Sequence, residues 1–504
     1  MSGNSSAKKL TLISLVLMIF TSVYGFANMP RAFFLMGYGA IPWYILGAIT
    51  FFLPYAFMMA EYGAAFKSSS GGIFSWMKES VNAKYAFIGT FMWYASYLIW
   101  QVNVSSSILV PLSNCIFGED RTHQLALWGL NSTQLLGLFA IVWIILVTWI
   151  STYGISAIAK ITSVGGIAVT LLNVILILGG ALVLILNRGP QQHISFSAFF
   201  QSPNPSYQSF VSICSFFTYA IFAYGGIEAV GGLVDQTENA EKTFPKGTAF
   251  AAIIISIGYS IGIFAAGCAT NWQDVLGQDN VTMANVAYIV MKNLGIQLGQ
   301  VFGASPSVCA GLGSALARIT GISMFCALGG AFFTLVYSPL KTLIEGAPKG
   351  LLPEKLTKTK GDLPVNAMWI QAIVVIAIIL LVSFGGSAAD AFFKTLVTMT
   401  NVAMTIPYMF LSVAFVSFKR KTSIHKPFEI YKSQGTALFA SIVVTFFVGF
   451  ANVFSIIEPA INGNWMDTVF SAGGPLLFAI FAWALYANYE RKGLANTATE
   501  KSKN

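Results

Sequence analysis

The chain has 504 residues, 9% of them charged and 56% hydrophobic, with a mean hydropathy of +0.71 and a formal charge of +9. Soluble domains carry roughly 25% charged residues, and a water-facing surface this poor in charge would aggregate, so a large soluble enzyme is excluded. The five cysteines (Cys115, Cys214, Cys268, Cys309, Cys326) are scattered mostly through apolar runs, and the three histidines (His123, His193, His425) fall in polar connections. Neither set has metal or disulfide spacing, no nucleophile–base constellation or cofactor pattern appears, and no basic stripe with interleaved aromatics points to nucleic acid.

Apolar stretches of about 20 residues, enough to cross ~30 Å of hydrocarbon, recur from end to end. In chain order they predict helical spans at about 10–36, 39–66, 85–116, 133–152, 158–187 and 207–234, then at about 247–271, 308–342, 366–385, 390–418, 434–457 and 467–489. The expectation is an all-α membrane protein of about twelve transmembrane helices, one transporter-sized domain over 1–504. The leading MSGNSSAKK runs straight into the first span with no small-residue cleavage site, so it does not read as a cleaved signal. The stretch GGIFSWMK in 66–84 reads as a turn. The longest connection, 272–306, has apolar pieces able to form a capping helix. The polar tail 490–504 is too short for a domain.

Lysine and arginine in the short connections orient such a chain. With the N-terminus inside, 22 of the 28 basic residues lie on the inner side, leaving Arg31, Arg121, Arg188, Lys292, Arg318 and Lys394 for the outer side or the membrane. Both termini are therefore expected in the cytoplasm. The positive charge is an insertion signal, and the bilayer is the partner it implies.

Two spans carry glycine with polar residues where a lipid-facing helix wants neither: TSVYGFANMP (Thr21–Pro30) in the first and FAYGGIEAVGG (Phe222–Gly232) in the sixth. Glycine lowers the cost of leaving helical geometry, and unwound backbone at membrane depth is tolerated only against protein or water. The N-terminus of the half-helix that follows offers free N–H groups and a positive dipole end to an anionic group. The two breaks lie five spans apart, which predicts inverted repeats of five helices over 10–187 and 207–418, with two further helices over 434–489. Glycine serving close helix packing is the competing explanation.

A carboxylate within a span costs several kcal/mol unless it is paired, hydrated or protonated. Glu228 is thus either a proton-coupling group or a structural acceptor for the unwound backbone of the first span. Arg318 lies in the eighth span and either snorkels at the outer boundary or reaches the ligand. Asp390 and Lys394 are one turn apart near an outer end, as in a surface ion pair. In the third span Trp93, Tyr97 and Trp100 share one helical face, which lines a pathway or forms a packing stripe; Tyr97, mid-span and polar, is the better lining candidate.

These segments resemble a known family, the amino acid–polyamine–organocation transporters, and within it the glutamate/GABA-antiporter-like group. The resemblance rests on the glycine-bearing first span, on MMAEYGAAF with SSSGGIFSWM (Met58–Met77), on GGIEAVGGLVDQTENAEKTFPKG (Gly225–Gly247), and on YSPLKTLIEGAPKGLLPEKL followed by GDLPVNAMW. It implies the LeuT-type 5+5 inverted-repeat fold with helices 1 and 6 broken, and a sodium-independent inner-membrane carrier of amino acids driven by protons or exchange. It also implies that the substrate carboxylate meets Ser22, Val23, Tyr24, Gly25 and Phe26, and that the amino group meets Phe222, Ala223, Tyr224, Gly225 and Gly226. Some relatives carry a lysine inside the fifth span; here that stretch reads GGIAVTLL (Gly165–Leu172), and Lys160 stands near the inner end.

The function expected is secondary active transport of an amino acid or close analogue by alternating access, with a proton or counter-substrate as coupling partner. The alternatives are a channel and a membrane sensor that binds solute without moving it. No metal and no cofactor is called for.

Overall fold

The computed structural model describes residues 9–69, 71–359 and 363–492. Side chains of His123 and of 387–396, 398, 399 and 401 are not among those described, so the Asp390–Lys394 pair lies outside the described residues. The helices in order are α1 (Leu12–Val23), α2 (Asn28–Met36), α3 (Ala40–Gly47), α4 (Leu53–Ala65), α5 (Gly72–Ser80), α6 (Ala83–Ser107), α7 (Leu109–Phe117), α8 (Ser132–Ser151) and α9 (Ile155–Leu186). They continue as α10 (Phe210–Ala223), α11 (Ala240–Ala269), α12 (Val286–Val301), α13 (Pro306–Gly346), α14 (Glu354–Thr357), α15 (Val365–Phe384), α16 (Gly386–Arg420), α17 (Gln434–Ile461) and α18 (Trp465–Arg491). Among the described residues extended pairing is confined to two isolated bridges.

Ten helical stretches are long and apolar enough to cross a membrane. The first, Leu12–Ala65, holds two of the predicted spans. Tyr24 and Tyr44, twenty positions apart, both lie against Tyr259, at ring distances of 5.0 and 5.2 Å. A straight helix would separate them by about 30 Å at 1.5 Å per residue, so the chain doubles back between them, at the 3₁₀ turn Gly37–Gly39. The segment read as a turn, GGIFSWMK, is instead mostly helix: Gly72 takes φ +46° and α5 follows, with Ile73, Phe74, Trp76 and Met77 fully buried. That burial is what holds so short a helix, since nine residues are marginal alone. In the 272–306 connection the expected apolar helix is present as α12, packed on α13, α9 and α2.

Apolar residues face outward as well as inward, the pattern of a helix bathed in lipid. On α9, Val164, Ile167, Leu171, Val174, Leu178, Leu182 and Ile185 form an exposed stripe at three- and four-residue spacing. The opposite face carries glycines among its buried residues, Gly165, Gly166, Gly179 and Gly180. A Cβ on Gly165 would stand 2.6 Å from the Cys326 carbonyl oxygen of α13, and one on Gly166 2.6 Å from the Leu17 oxygen of α1. With hydrocarbon on the outside there is little hydrophobic drive between helices, so close van der Waals approach supplies the adhesion. α9 is thereby wedged between α1 and α13, and Gly165 and Gly166 of the lysine-free GGIAVTLL stretch are the points of contact.

The helix ends rich in lysine are tied together by charge. Lys419 of α16 reaches Glu61 of α4 at 2.9 Å and Glu429 at 2.6 Å, while both Glu61 and Lys419 are almost wholly buried. Glu61 also accepts the N–H groups of Ile430 and Tyr431, each at 2.7 Å. Lys67 pairs with Glu241, and Lys84 with Glu490 at 3.3 Å. At the same end the N-terminal strand of chain is fastened to the segment after the second break, through Leu10 N–H to the Gln236 oxygen and Glu238 N–H to the Leu10 oxygen, both 2.8 Å.

Candidate functional site

Helical hydrogen bonding stops at Val23 and resumes at Asn28, and it stops again at Ala223 and resumes as a 3₁₀ segment over Ile227–Leu233. In the first gap the backbone-to-backbone bonds are local, among them Gly25 N–H to the Val23 oxygen at 2.9 Å and Asn28 N–H to the Gly25 oxygen at 3.0 Å. In the second gap Gly226 takes φ +112°, and a Cβ there would meet the Ser22 carbonyl oxygen at 2.6 Å. Two demands coincide on this one glycine: a left-handed backbone and direct contact between the two unwound segments.

A tyrosine far along the chain joins the breaks. The Tyr259 hydroxyl of α11 lies 2.7 Å from the Val23 oxygen and 3.2 Å from the Ala223 oxygen, and it accepts from Asn28 Nδ2 at 3.1 Å. Loose carbonyls at the ends of two helices thus find one shared donor, as buried backbone groups require. Asn28 Oδ1 in turn accepts from the Tyr219 hydroxyl at 3.4 Å.

Glu228 is buried, 1% exposed. Its Oε1 accepts from Trp93 Nε1 at 3.1 Å and from the hydroxyls of Tyr97 and Tyr408 at 3.4 Å each. Its Oε2 accepts the Gly226 N–H at 3.2 Å. The backbone it serves is that of its own broken helix, not of the first. The shared face of α6 is used here, since Trp93 and Tyr97 sit one turn apart and both point at this carboxylate.

A cavity of about 750 Å³ lies against both breaks. From the first gap it touches Ser22, Val23 and Gly25; from the second, Phe222, Ala223, Gly225 and Gly226; from α6, Tyr97 and Trp100. Tyr24, Phe26, Tyr224 and Trp93 are not on its wall. Tyr24 packs edge-on to Tyr259, Phe26 is buried, and the Tyr224 hydroxyl donates to the Tyr44 oxygen at 3.1 Å. Arg318 is exposed on α13 beside Gly118, away from the cavity. The wall also includes residues the sequence did not single out: Thr21, Asn28, Tyr219, Thr405 and Tyr408. Asn28 falls within the glycine-rich first segment, and that position was the available signal. Tyr219 and Tyr408 carry none, because tyrosine is common in membrane helices and only packing decides which ones face inward.

The cavity is lopsided. Its wall reaches Glu458, Pro459, Asp467 and Ser471 at the facing ends of α17 and α18, opposite the lysine-rich end. On the lysine side of the second break the packing is close: a Cβ on Gly232 would meet the Ser338 hydroxyl at 2.6 Å. There Lys341, 0% exposed, bonds Asp235 at 2.9 Å and the Gly232 oxygen at 3.2 Å, and the Ser338 hydroxyl donates to the Ala229 oxygen. Lys341 is therefore a buried strut between α13 and the second broken helix. Among the described residues no cluster of His, Cys, Asp and Glu is arranged to hold a metal ion.

The comparisons with known proteins agree with this architecture. The family model described as amino acid permease matches residues 10–484. The inner membrane transporter YjeM of Escherichia coli K12 is 53% identical over 485 residues, covering 96% of each chain. The glutamate/gamma-aminobutyrate antiporter of Lactococcus lactis subsp. lactis is 22% identical over 89% of this chain and 84% of its own. Crystal structures of mutants of the Eremococcus coleocola manganese transporter superpose with a TM-score of 0.57 over 97% of both chains at 10% identity, a likeness of fold alone. With a family model spanning nearly its whole length and a relative more than half identical throughout, this chain belongs to the amino acid permease family, whose members are membrane transporters and not enzymes.

Proposed function

We propose that the protein is a secondary transporter that carries an amino acid or close analogue across the inner membrane by alternating access, as an exchanger or proton symporter, with its lysine-rich end in the cytoplasm. The observation that carries this reading is the cavity flanked by both helix breaks and continued to one end of the molecule only. A channel needs a path to both ends. A carrier needs a central site whose two approaches are never open together, and the buried Lys341, bonded to Asp235 and to the Gly232 oxygen on the lysine side of the second break, supports that reading. The reversal at Gly37–Gly39 makes two crossings of Leu12–Ala65, and α6 supplies a further one, which supports twelve crossings and the 5+5 inverted repeat.

In this reading the substrate carboxylate lies against the first break just ahead of α2, where the positive end of the helix dipole favours negative charge, with Gly25 leaving room for it. The substrate amino group lies toward the carbonyls at the end of α10, near Phe222 and Ala223. Tyr97 stands between this site and Glu228, so a proton on Glu228 would weaken the bonds that hold the second break and couple its geometry to protonation. The names of relatives, among them an inner membrane transporter and a glutamate/gamma-aminobutyrate antiporter, support the membrane and the substrate class.

The test is counterflow of radiolabelled amino acids in proteoliposomes of the full chain. Saturable counterflow is expected. Gly226→Val should abolish it, and Glu228→Gln should reduce it or remove its pH dependence, while both variants stay monodisperse in detergent. Normal counterflow by both variants would place the site elsewhere. Ligand-induced thermal stabilisation with no counterflow at all would mean a binding protein without transport.

A further inference from the structure

Glu458 and Asp467 stand on the two sides of the turn joining α17 to α18, and both line the cavity at its outward end. Glu458 also lines a neighbouring cavity of about 490 Å³ whose wall includes Ser206, Ser209, Ser212 and Ser215. It therefore stands at the boundary between an antechamber and the central site. Among the described residues lining either cavity there is no Lys, Arg or His. None of the ion pairs among the described residues involves Glu458 or Asp467. Arg31 of α2 is turned to other work, its Nε donating to the Met283 oxygen at 2.7 Å.

Glu458 has no cationic partner among the described residues, while Asp467 sits in the first turn of α18 and accepts from Asn464 Nδ2; together they put negative charge at the mouth of an apolar-walled cleft. Deeper in, the wall contains Trp100, Phe222, Leu328, Leu335 and Met404, a surface suited to a methylene stem whose charged head stays in water. Resting on the transporter reading above, we infer that the transported solute bears a net positive charge, as an amino acid with a second ammonium or a guanidinium group does, and that Glu458 with Asp467 selects it at the entrance against acidic amino acids. The head group then sits at the helix breaks, the stem runs along the apolar wall, and the distal cation faces the two carboxylates.

Counterflow in proteoliposomes of the full chain, with lysine, leucine and aspartate as the three probes, tests this. Lysine is expected to show the lowest half-saturation concentration. Each carboxylate within about 4 Å of a cation is worth about fivefold at water-like screening, so Glu458→Gln with Asp467→Asn should raise the lysine value by roughly five- to twentyfold. Leucine should move less than twofold, which shows that the variant is folded. High ionic strength should raise the lysine value for the unmodified chain in the same direction, a readout that stands even if the double variant is unstable. Aspartate carried as well as lysine, or a lysine-to-leucine ratio indifferent to both salt and substitution, overturns the charge inference and leaves the transporter reading intact. No counterflow of any probe removes both.

Discussion

Tyr259 has the most consequential single side chain outside the breaks themselves. Its hydroxyl is shared by the Val23 and Ala223 carbonyls and by Asn28, three groups that a Phe ring would leave without that partner in a buried setting. Stranding a buried polar group costs about 1–3 kcal/mol. Tyr259→Phe is therefore expected to lower the midpoint of thermal unfolding in detergent by several degrees. It should also weaken substrate binding more than a Tyr→Phe change of similar burial elsewhere, such as Tyr62, whose hydroxyl donates to the Leu411 oxygen at 3.1 Å. An equal effect of the two changes on binding would show that Tyr259 serves stability alone. Trp93 and Tyr97 were legible as a face because i, i+4 spacing is a local property. Tyr259 and Tyr408 were not, because what they touch is set by segments 36 to 236 positions away along the chain.

Among the elements, the connection between α16 and α17 acts as a strap across the lysine-rich end. Glu61 holds it by accepting from Ile430 and Tyr431, and Lys419 completes the pair from above. The Tyr431 hydroxyl donates to the Pro54 oxygen at 3.0 Å, and burial, with the Glu61 charge behind it, pushes that phenol well above its ordinary pKa, so it stays protonated and donating. Removing one member of a buried ion pair leaves the other uncompensated, at a cost of about 3–5 kcal/mol. Lys419→Met should therefore destabilise the protein strongly. Glu61→Gln with Lys419→Met should cost less than the sum of the single changes, as a double-mutant cycle on thermal unfolding would show. Additive effects would mean that the pair is not coupled. The acid in MMAEYGAAF was visible in the sequence near a helix end, but its partner was one of many lysines at that side and only packing chose Lys419.

Over the whole molecule, the ion pairs gather at the lysine-rich end while the cavity continues toward the other. That asymmetry fixes what labelling should find. In a chain stripped of its five cysteines, a cysteine at Asn462 is expected to react with a membrane-impermeant maleimide added to intact cells. One at Ser423 should react only after the membrane is opened. The reverse pattern would invert the proposed orientation and, with it, the side from which the cavity is entered. Substrate added before the reagent should slow labelling at positions on the cavity wall more than at Asn462.

The sequence by itself determined that this is a helical membrane protein with two interrupted spans, because the cost of burying polar groups in hydrocarbon leaves its mark on composition and span length without regard to neighbours. It also marked Gly25, Gly226 and Glu228, since glycine and carboxylate are conspicuous at membrane depth. Tertiary structure alone decided that Tyr24, Phe26 and Tyr224 turn into the core while Asn28, Tyr219 and Tyr408 line the cavity, that Lys341 is a buried strut, and that Arg318 stands apart. The reason is physical: helices whose lipid-facing and protein-facing sides are both apolar carry little periodic signal of which side is which. Inward and outward faces were therefore settled by close approach at small residues such as Gly165 and Gly166, and not by hydrophobicity.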